Sequence, residues 1–239
     1  MKGPAAWLAR AAITAIALQS APAFAAATSA AGSTEAVRIA VILTLLAIVP
    51  AILIGTTSFV RIVVVLAMIR HAFGMPQTPP NAVLTSLALF MTAFVMGPTL
   101  ATLNEQALQP FLGGQADMAQ AMEAGGAPLR DFMLAQTRES DLEMVYRISG
   151  SPLPATPDRV ELLKLTPAFM LNELRVAFTI GFVVLLPFLL IDLVVASILL
   201  ALGMMMVPPS TISLPVKVLM FVLIDGWSLV MEGLLGSFA

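Results

Sequence analysis

The sequence predicts an all-α membrane protein of two kinked helical hairpins, four long apolar helices in all, with a small helical insert between the hairpins. Three observations carry that prediction. Of the 239 residues, 59% are hydrophobic and only 11% charged, where an ordinary soluble domain carries roughly 25% charged residues. The apolar residues gather in four blocks, 39–69, 82–103, 176–206 and 216–235, each long enough for the ~20 residues that span a bilayer. Most of the charges fall in one polar stretch, 104–166, between the second and third blocks. The hairpins then occupy 39–103 and 167–239. A mean hydropathy of +0.96 requires lipid, or a large complex of similar chains, as the solvent.

The N-terminus reads as an address rather than as part of the fold. Lys2 and Arg10 accompany an apolar run, AAITAIAL, and the small-x-small triplet Ala23-Phe24-Ala25 follows. That is the pattern of a cleavable secretory signal over residues 1–25. The alternative is an uncleaved first membrane helix, but the run 11–18 is too short for ~30 Å of hydrocarbon. Cleavage places a mature N-terminal segment, 26–38, in the periplasm.

Blocks one and three are the longest. At about 31 residues and ~1.5 Å per residue they reach ~46 Å, beyond the ~30 Å core, so they tilt, bend or leave the membrane. Pro50 and Pro187 lie inside them at similar depths, and an interior proline removes a helical hydrogen bond. Bent helices are therefore expected. Each hairpin turns through a methionine-containing loop ending in Pro-Pro: MPQTPP at 75–80 and MMMVPP at 204–209. Pro79-Pro80 and Pro208-Pro209 stiffen the entry into each returning arm. The result is a weak internal repeat of topology.

The insert holds helix-start signals at Pro128, at Thr156-Pro157-Asp158 and at Thr166-Pro167. Gly113-Gly114 and Gly125-Gly126 punctuate it. Short amphipathic helices are expected there, on the periplasmic side. Both Pro-Pro bends then face the cytoplasm, and Arg70 and His71 beside the first agree with the positive-inside rule.

Of the charges in or beside the apolar blocks, six are singled out: Arg61, Glu173, Arg175, Asp192, Lys217 and Asp225. An ion at mid-bilayer costs ~2.5–3.5 kcal/mol on the lenient scale, so these groups face protein, water or one another. Asp192 and Asp225 lie at similar distances either side of the second bend, and an antiparallel hairpin would put them at one depth. Arg61 and Lys217 are candidate counter-ions. Two readings follow. One is a proton or ion path. The favoured one is a set of buried ion pairs fixing register between chains, with Lys217 also able to snorkel to the surface. Asp131, Glu139, Asp141 and Glu143 read as surface charge.

Enzyme chemistry finds little support. There is no cysteine and one histidine, His71, which rules out thiolate chemistry, Cys-zinc sites and a His-built metal site. Neither a Gly-x-Ser-x-Gly elbow nor a phosphate loop occurs. No cofactor is expected, and a net charge of −2 gives no reason to propose nucleic acid.

Long stretches of the chain resemble one family. TSFVRIVVVLAMIRHAFGMPQTPPNAVLTSLALFMTAFVMGP at 57–98 and LTPAFMLNELRVAFTIGFVVLLPFLLIDLVVASILLALGMMMVPPSTISLPVKVLMFVLIDGWSLV at 165–230 closely resemble the FliP family of flagellar export-gate proteins. ALQPFL and LRDFMLAQTRESDL extend the likeness into the insert. The injectisome homologue of virulence type III secretion is the near alternative, and the signal-like N-terminus favours the flagellar branch. The resemblance implies a ring of copies, a pentamer, assembled with FliR-like and FliQ-like subunits and other membrane proteins of the export apparatus. Such a ring forms the inner-membrane portal through which unfolded substrates thread at the flagellar basal body. It is powered from outside by the proton motive force and a separate ATPase. It also implies that Met204, Met205 and Met206 form a pore gasket and that the ring sits partly lifted out of the bilayer. A solute or ion transporter using Asp192 and Asp225 is the alternative from another class.

Overall fold

In the computed structural model, residues 32–75 and 77–238 are described, and every regular element among them is helical. The expected signal, 1–25, and the segment 26–31 lie outside the described residues. Packing divides the chain into Met1–Ala51 and Ile52–Ala239. In the first unit the described part is a stretch of helix with Ile39, Leu43, Ile48 and Val49 exposed. It belongs to α1, Gly32–Thr56, which is continuous through Pro50.

The second unit carries the rest. After α1 come α2 (Phe59–Ala72), α3 (Asn81–Val95) and α4 (Gly97–Leu103). A π-turn at Asn104–Leu108 leads to α5 (Gln109–Leu112). The polar insert then forms α6 (Met118–Gln136), α7 (Glu139–Ile148) and a single 3₁₀ turn, Pro157–Arg159. Finally come α8 (Leu162–Ala201), α9 (Pro209–Leu223) and α10 (Gly226–Gly236).

Four long, kinked helices were expected, and the structure gives one unbroken helix and three bent pairs, up to four spans if each bent pair is one. Among the described residues, only α8, at 40 residues, is by itself long and apolar enough to cross a membrane. The other three apolar blocks are each broken into two helices. Block one breaks at Thr57–Ser58 and not at Pro50. There the Thr56 hydroxyl donates to the Ile52 carbonyl at 2.8 Å and the Thr57 hydroxyl to the Leu53 carbonyl at 2.5 Å, back-bonding that bends helices. Block two bends by 61° at Met96, where Gly97-Pro98 removes a backbone donor. Block four bends by 67° at Ile224–Asp225. Asp225 is left-handed there, at φ 49°. The following Gly226 lies so close under Phe221 that a Cβ would come within 2.2 Å of the ring.

Three helix-start signals also fail. Pro128 and Gly125-Gly126 lie inside α6, whose N-terminus is set earlier by a capping box: the Gln120 amide donates to the Asp117 carboxylate at 2.8 Å and the Asp117 amide to the Gln120 side chain at 3.0 Å. Thr156-Pro157-Asp158 opens only the 3₁₀ turn, and Thr166-Pro167 falls inside α8. In these cases tertiary packing overrides local punctuation, because the apolar faces of α6 and α8 continue across the prolines.

Helix α8 is the spine. At ~1.5 Å per residue it is about 60 Å long, twice the hydrocarbon thickness. Its first turns, through Leu165, Ala168 and Phe169, close a small core with Met133, Leu142 and Tyr146 of the insert. Further along, Ala177 and Phe188 enter the main core with Ile62, Val65, Leu66 and Ile69 of α2, Ala88 of α3, and Val230 and Leu234 of α10. Helices α8 and α2 approach closely at Gly181, where a Cβ would lie 2.3 Å from Met68 Sδ and 3.1 Å from its Cβ. Replacing Gly181 by Leu should therefore push the two helices apart at a cost of ~1–3 kcal/mol. A melting temperature several degrees lower in detergent would show it, while an unchanged one would mean that Met68 simply swings aside.

Candidate functional site: the methionine loop and the buried charges

Between α8 and α9 the chain turns in seven residues. The end of α8 is capped in the Schellman manner: Gly203 takes φ +71°, its amide bonds the Leu200 carbonyl at 3.0 Å, and the Met204 amide bonds Leu199 at 2.9 Å. Pro208 then caps α9, and Pro209 is its first residue. The three methionines between these fixed points face away from the core. Met204 is exposed, Met205 is 81% exposed and Met206 96%.

The first bend is built alike. Gly74 takes φ +77°, Met75 follows, and Pro80 caps α3, with Pro79 before it. Here the loop is tied down. The Arg70 guanidinium donates to Asn81 Oδ1 and, at 3.5 Å, to the Pro79 carbonyl. Met75 itself packs partly buried against the main core.

The two bends are stitched together at their bases. Phe73, just after α2, meets Phe188 of α8 and Phe221 of α9 edge-on, with centroids 5.3 and 4.7 Å away. Beside this cluster the Lys217 ammonium donates to Asp192 Oδ2 at 2.6 Å and to the Ala72 carbonyl, at the C-terminal end of α2, at 3.3 Å. Lys217 is buried and does not snorkel, while its partner Asp192 stays 41% exposed. A cavity of about 330 Å³ opens beside the pair, lined by His71, Gly74, Phe188, Ser210 and Ser213 among others.

A second polar node lies at the other end of the apolar core. Arg61 and Glu173 are fully buried and paired, with Arg61 Nε to Glu173 Oε2 at 3.0 Å and a second contact from Nη2 to Oε1. The same guanidinium donates from Nη2 to the Gln136 side-chain oxygen at 3.0 Å. From Nη1 it donates to the Ser237 carbonyl at 2.7 Å and the Ser237 hydroxyl at 3.0 Å. Its flat face rests on the Phe238 ring at 3.8 Å. Asn172 completes the node by donating to the Gln136 carbonyl.

The third pair corrects the sequence reading. Asp141, expected among the surface charges, is 1% exposed and accepts both guanidinium nitrogens of Arg175, at 2.5 and 2.8 Å. The clue was available. Asp141 precedes Leu142 and lies four residues before Val145, on the apolar stripe of α7. Asp131, Glu139 and Glu143 are exposed. Gln136, Asn172, Ser237 and Phe238 were missed altogether, since uncharged residues of ordinary type give no sequence signal. Asp225 stands apart: its carboxylate has no hydrogen-bond or ionic partner among the described residues. Five of the six charges expected to pair between chains thus sit in three pairs within one chain, with Asp141 completing the third.

Comparison with known proteins identifies the family. The FliP family model matches residues 42–234. The chain belongs to the FliP family. It is 51% identical over 205 residues to the flagellar biosynthetic protein FliP of Pectobacterium carotovorum subsp. carotovorum, covering 86% of this chain and 80% of that one. It is 50% identical over 209 residues to that of Caulobacter vibrioides, covering 87% and 79%. Across a wider distance it is 43% identical over 202 residues to FliP of Bacillus subtilis, covering 84% and 91%. The matched span of this FliP-family chain includes both bends, the methionine loop and all three of these ion pairs.

A buried ion pair destabilises most when one partner is removed. Arg61→Met should therefore cost ~3–5 kcal/mol, and adding Glu173→Met should recover much of that loss. Thermal unfolding of the two single variants and the double variant closes the cycle; an Arg61→Met protein as stable as the parent would contradict the role given to this node.

Proposed function

We propose that this FliP-family protein is a pore-forming structural subunit of the flagellar type III protein export gate, conducting unfolded flagellar proteins across the bacterial inner membrane. The observation that carries the reading is the methionine loop: three soft, exposed side chains on a backbone fixed by Gly203 at one end and Pro208-Pro209 at the other. Methionine is unbranched and polarizable and adapts to irregular partners. Copies of the chain arranged in a ring, a pentamer, turn one short loop into a collar. The collar closes on itself at rest and deforms around any passing polypeptide.

The partners in this reading are further copies of the chain, FliR-like and FliQ-like subunits, and the other membrane proteins of the export apparatus. The flagellar branch is preferred over the injectisome because the relatives named above are flagellar. The insert, 104–166, lies on the periplasmic side and the two bends on the cytoplasmic side. Arg70 and His71 in the last turn of α2 support that orientation. The ion-transport alternative loses ground, since Asp192 is neutralised by Lys217 within the chain and Asp225 stands at a helix break without a polar stripe leading to it.

The test is sealing. With Met204, Met205 and Met206 all replaced by alanine, the assembled gate should leak small ions at rest by severalfold over the parent in single-channel recordings. Replacement of the three exposed insert residues Leu112, Met118 and Met122 should leave the leak unchanged. Equal sealing by the triple-alanine loop would remove the gasket role.

A further inference from the structure

Asp225 is a charge on the apolar helices that neither the fold nor the gasket uses; Glu232, two turns further along α10, is also exposed and without a partner among the described residues. The cations on α2, α8 and α9 are accounted for. Arg61 is paired with Glu173, Arg175 with Asp141 and Lys217 with Asp192, and Arg70 is bonded to Asn81 and Pro79. Asp225 is exposed, held in the left-handed region at φ 49°, and has no side-chain bond to the start of α10. Around it the surface is apolar. Val222 is 68% and Leu223 75% exposed, and Leu219, Ile224, Trp227 and Leu229 are exposed as well. Exposed apolar side chains gathered around a helix break in this way mark a contact surface. An unpaired carboxylate at its centre sets the sign of what binds there, because charges in membrane segments pair or face water.

We propose that Asp225 and this apolar face form the docking site for a membrane helix of a companion subunit, a different chain, that carries one arginine or lysine inside an apolar stretch. A second copy of this chain is the poorer occupant. Its own cations on α2, α8 and α9 already have partners, and breaking one of those pairs would leave a buried charge uncompensated. A companion helix with a single basic residue covers the apolar ring and completes the ion pair in one step. The inference rests on the reading of the chain as a membrane subunit of a larger assembly.

The chain's backbone supplies a clean test. Asn tolerates the left-handed region as well as Asp does, so Asp225→Asn removes the charge and keeps the bend. A benzoylphenylalanine crosslinker is placed at Val222 or Leu223 of the full chain in its native membrane. After irradiation, the adducts are mapped by mass spectrometry. The expected adduct is a peptide of another chain with Arg or Lys inside an apolar stretch. Its yield should fall by roughly tenfold or more in the Asp225→Asn background and be largely retained with Asp225→Glu. Unchanged yield with Asn would assign Asp225 to the backbone bend alone and overturn the proposal, as would adducts only to lipid or only to copies of this chain. Co-purification of copies and companions with the unlabelled parent separates the two layers. If the assembly forms but the Asn variant crosslinks normally, this inference alone fails; if no assembly forms and no adduct appears, both readings fail.

Discussion

The fold depends on one buried guanidinium. Arg61 comes from α2, and its three nitrogens point at three other parts of the chain: Glu173 on α8, Gln136 at the end of α6, and Ser237 after α10. Only a planar fork with donors in fixed directions can do this at once; a lysine ammonium on the same stem could not span the three. Burial of such an ion costs several kcal/mol unless every donor is met. The node therefore tolerates only a narrow set of arrangements of these four elements. Hydrophobic packing along α8 supplies most of the driving force, but it is non-directional. The directional bonds at Arg61 fix which insert helix, and which terminal residues, belong at that end of the core.

From this node the rest of the architecture follows along α8. The helix is long enough to serve two cores, and two further ion pairs pin it at two more places. Arg175 holds the insert through Asp141, and Lys217 holds the two hairpin bends through Asp192 and the Ala72 carbonyl. The charges fall at intervals along one helix, with Glu173 and Arg175 near one end of its apolar stretch and Asp192 toward the other. Between them the contacts are apolar and close, down to the Gly181–Met68 approach. The elements that pack on α8 are broken helices, so each break turns the chain back toward the spine rather than past it. The break at Thr57–Ser58 places Arg61 in the first turn of α2.

How much of this could be read from the sequence depended on the kind of signal. Helical class, apolar blocks and the two Gly-Met-Pro-Pro turns were legible because composition and punctuation are local. The three breaks were not. Threonine back-bonding at Thr57 and the Asp225-Gly226 elbow look like ordinary helical sequence until a neighbour is present, and both prolines expected to kink, Pro50 and Pro187, lie within continuous helices. Five of the six charged candidates have ionic partners in the structure. Lys217 was legible as a candidate counter-ion for Asp192, but the partners of Arg61 and Arg175 were not foreseen. Each pair joins residues far apart in the chain, from 25 apart for Lys217 and Asp192 to 112 for Arg61 and Glu173. Asp141 was misread because a charge-rich helix usually turns such groups to water, and here one of them sits on the apolar stripe.

The two bends began as a repeat, and the structure makes them unlike in the one respect that bears on function. Both start at a left-handed glycine and end in Pro-Pro, so both have a stiff backbone. In the first, Arg70 ties the loop to Pro79 and Asn81, and Met75 is drawn against the core. In the second, no side chain of the loop is bonded or packed in that way among the described residues, and Met205 and Met206 stand in the open. Lys217 and the Phe73–Phe188–Phe221 cluster join the base of the second bend to the anchored first one. Movement at the tip of the methionine loop is therefore not passed into the helices, because its base is held by an ion pair, a helix-end carbonyl and three interlocked rings. A loop with a fixed base, a fixed rim and free soft side chains can change shape at its surface alone. In the gasket role proposed above, that separation would let the loop deform repeatedly while the subunit beneath it stays folded.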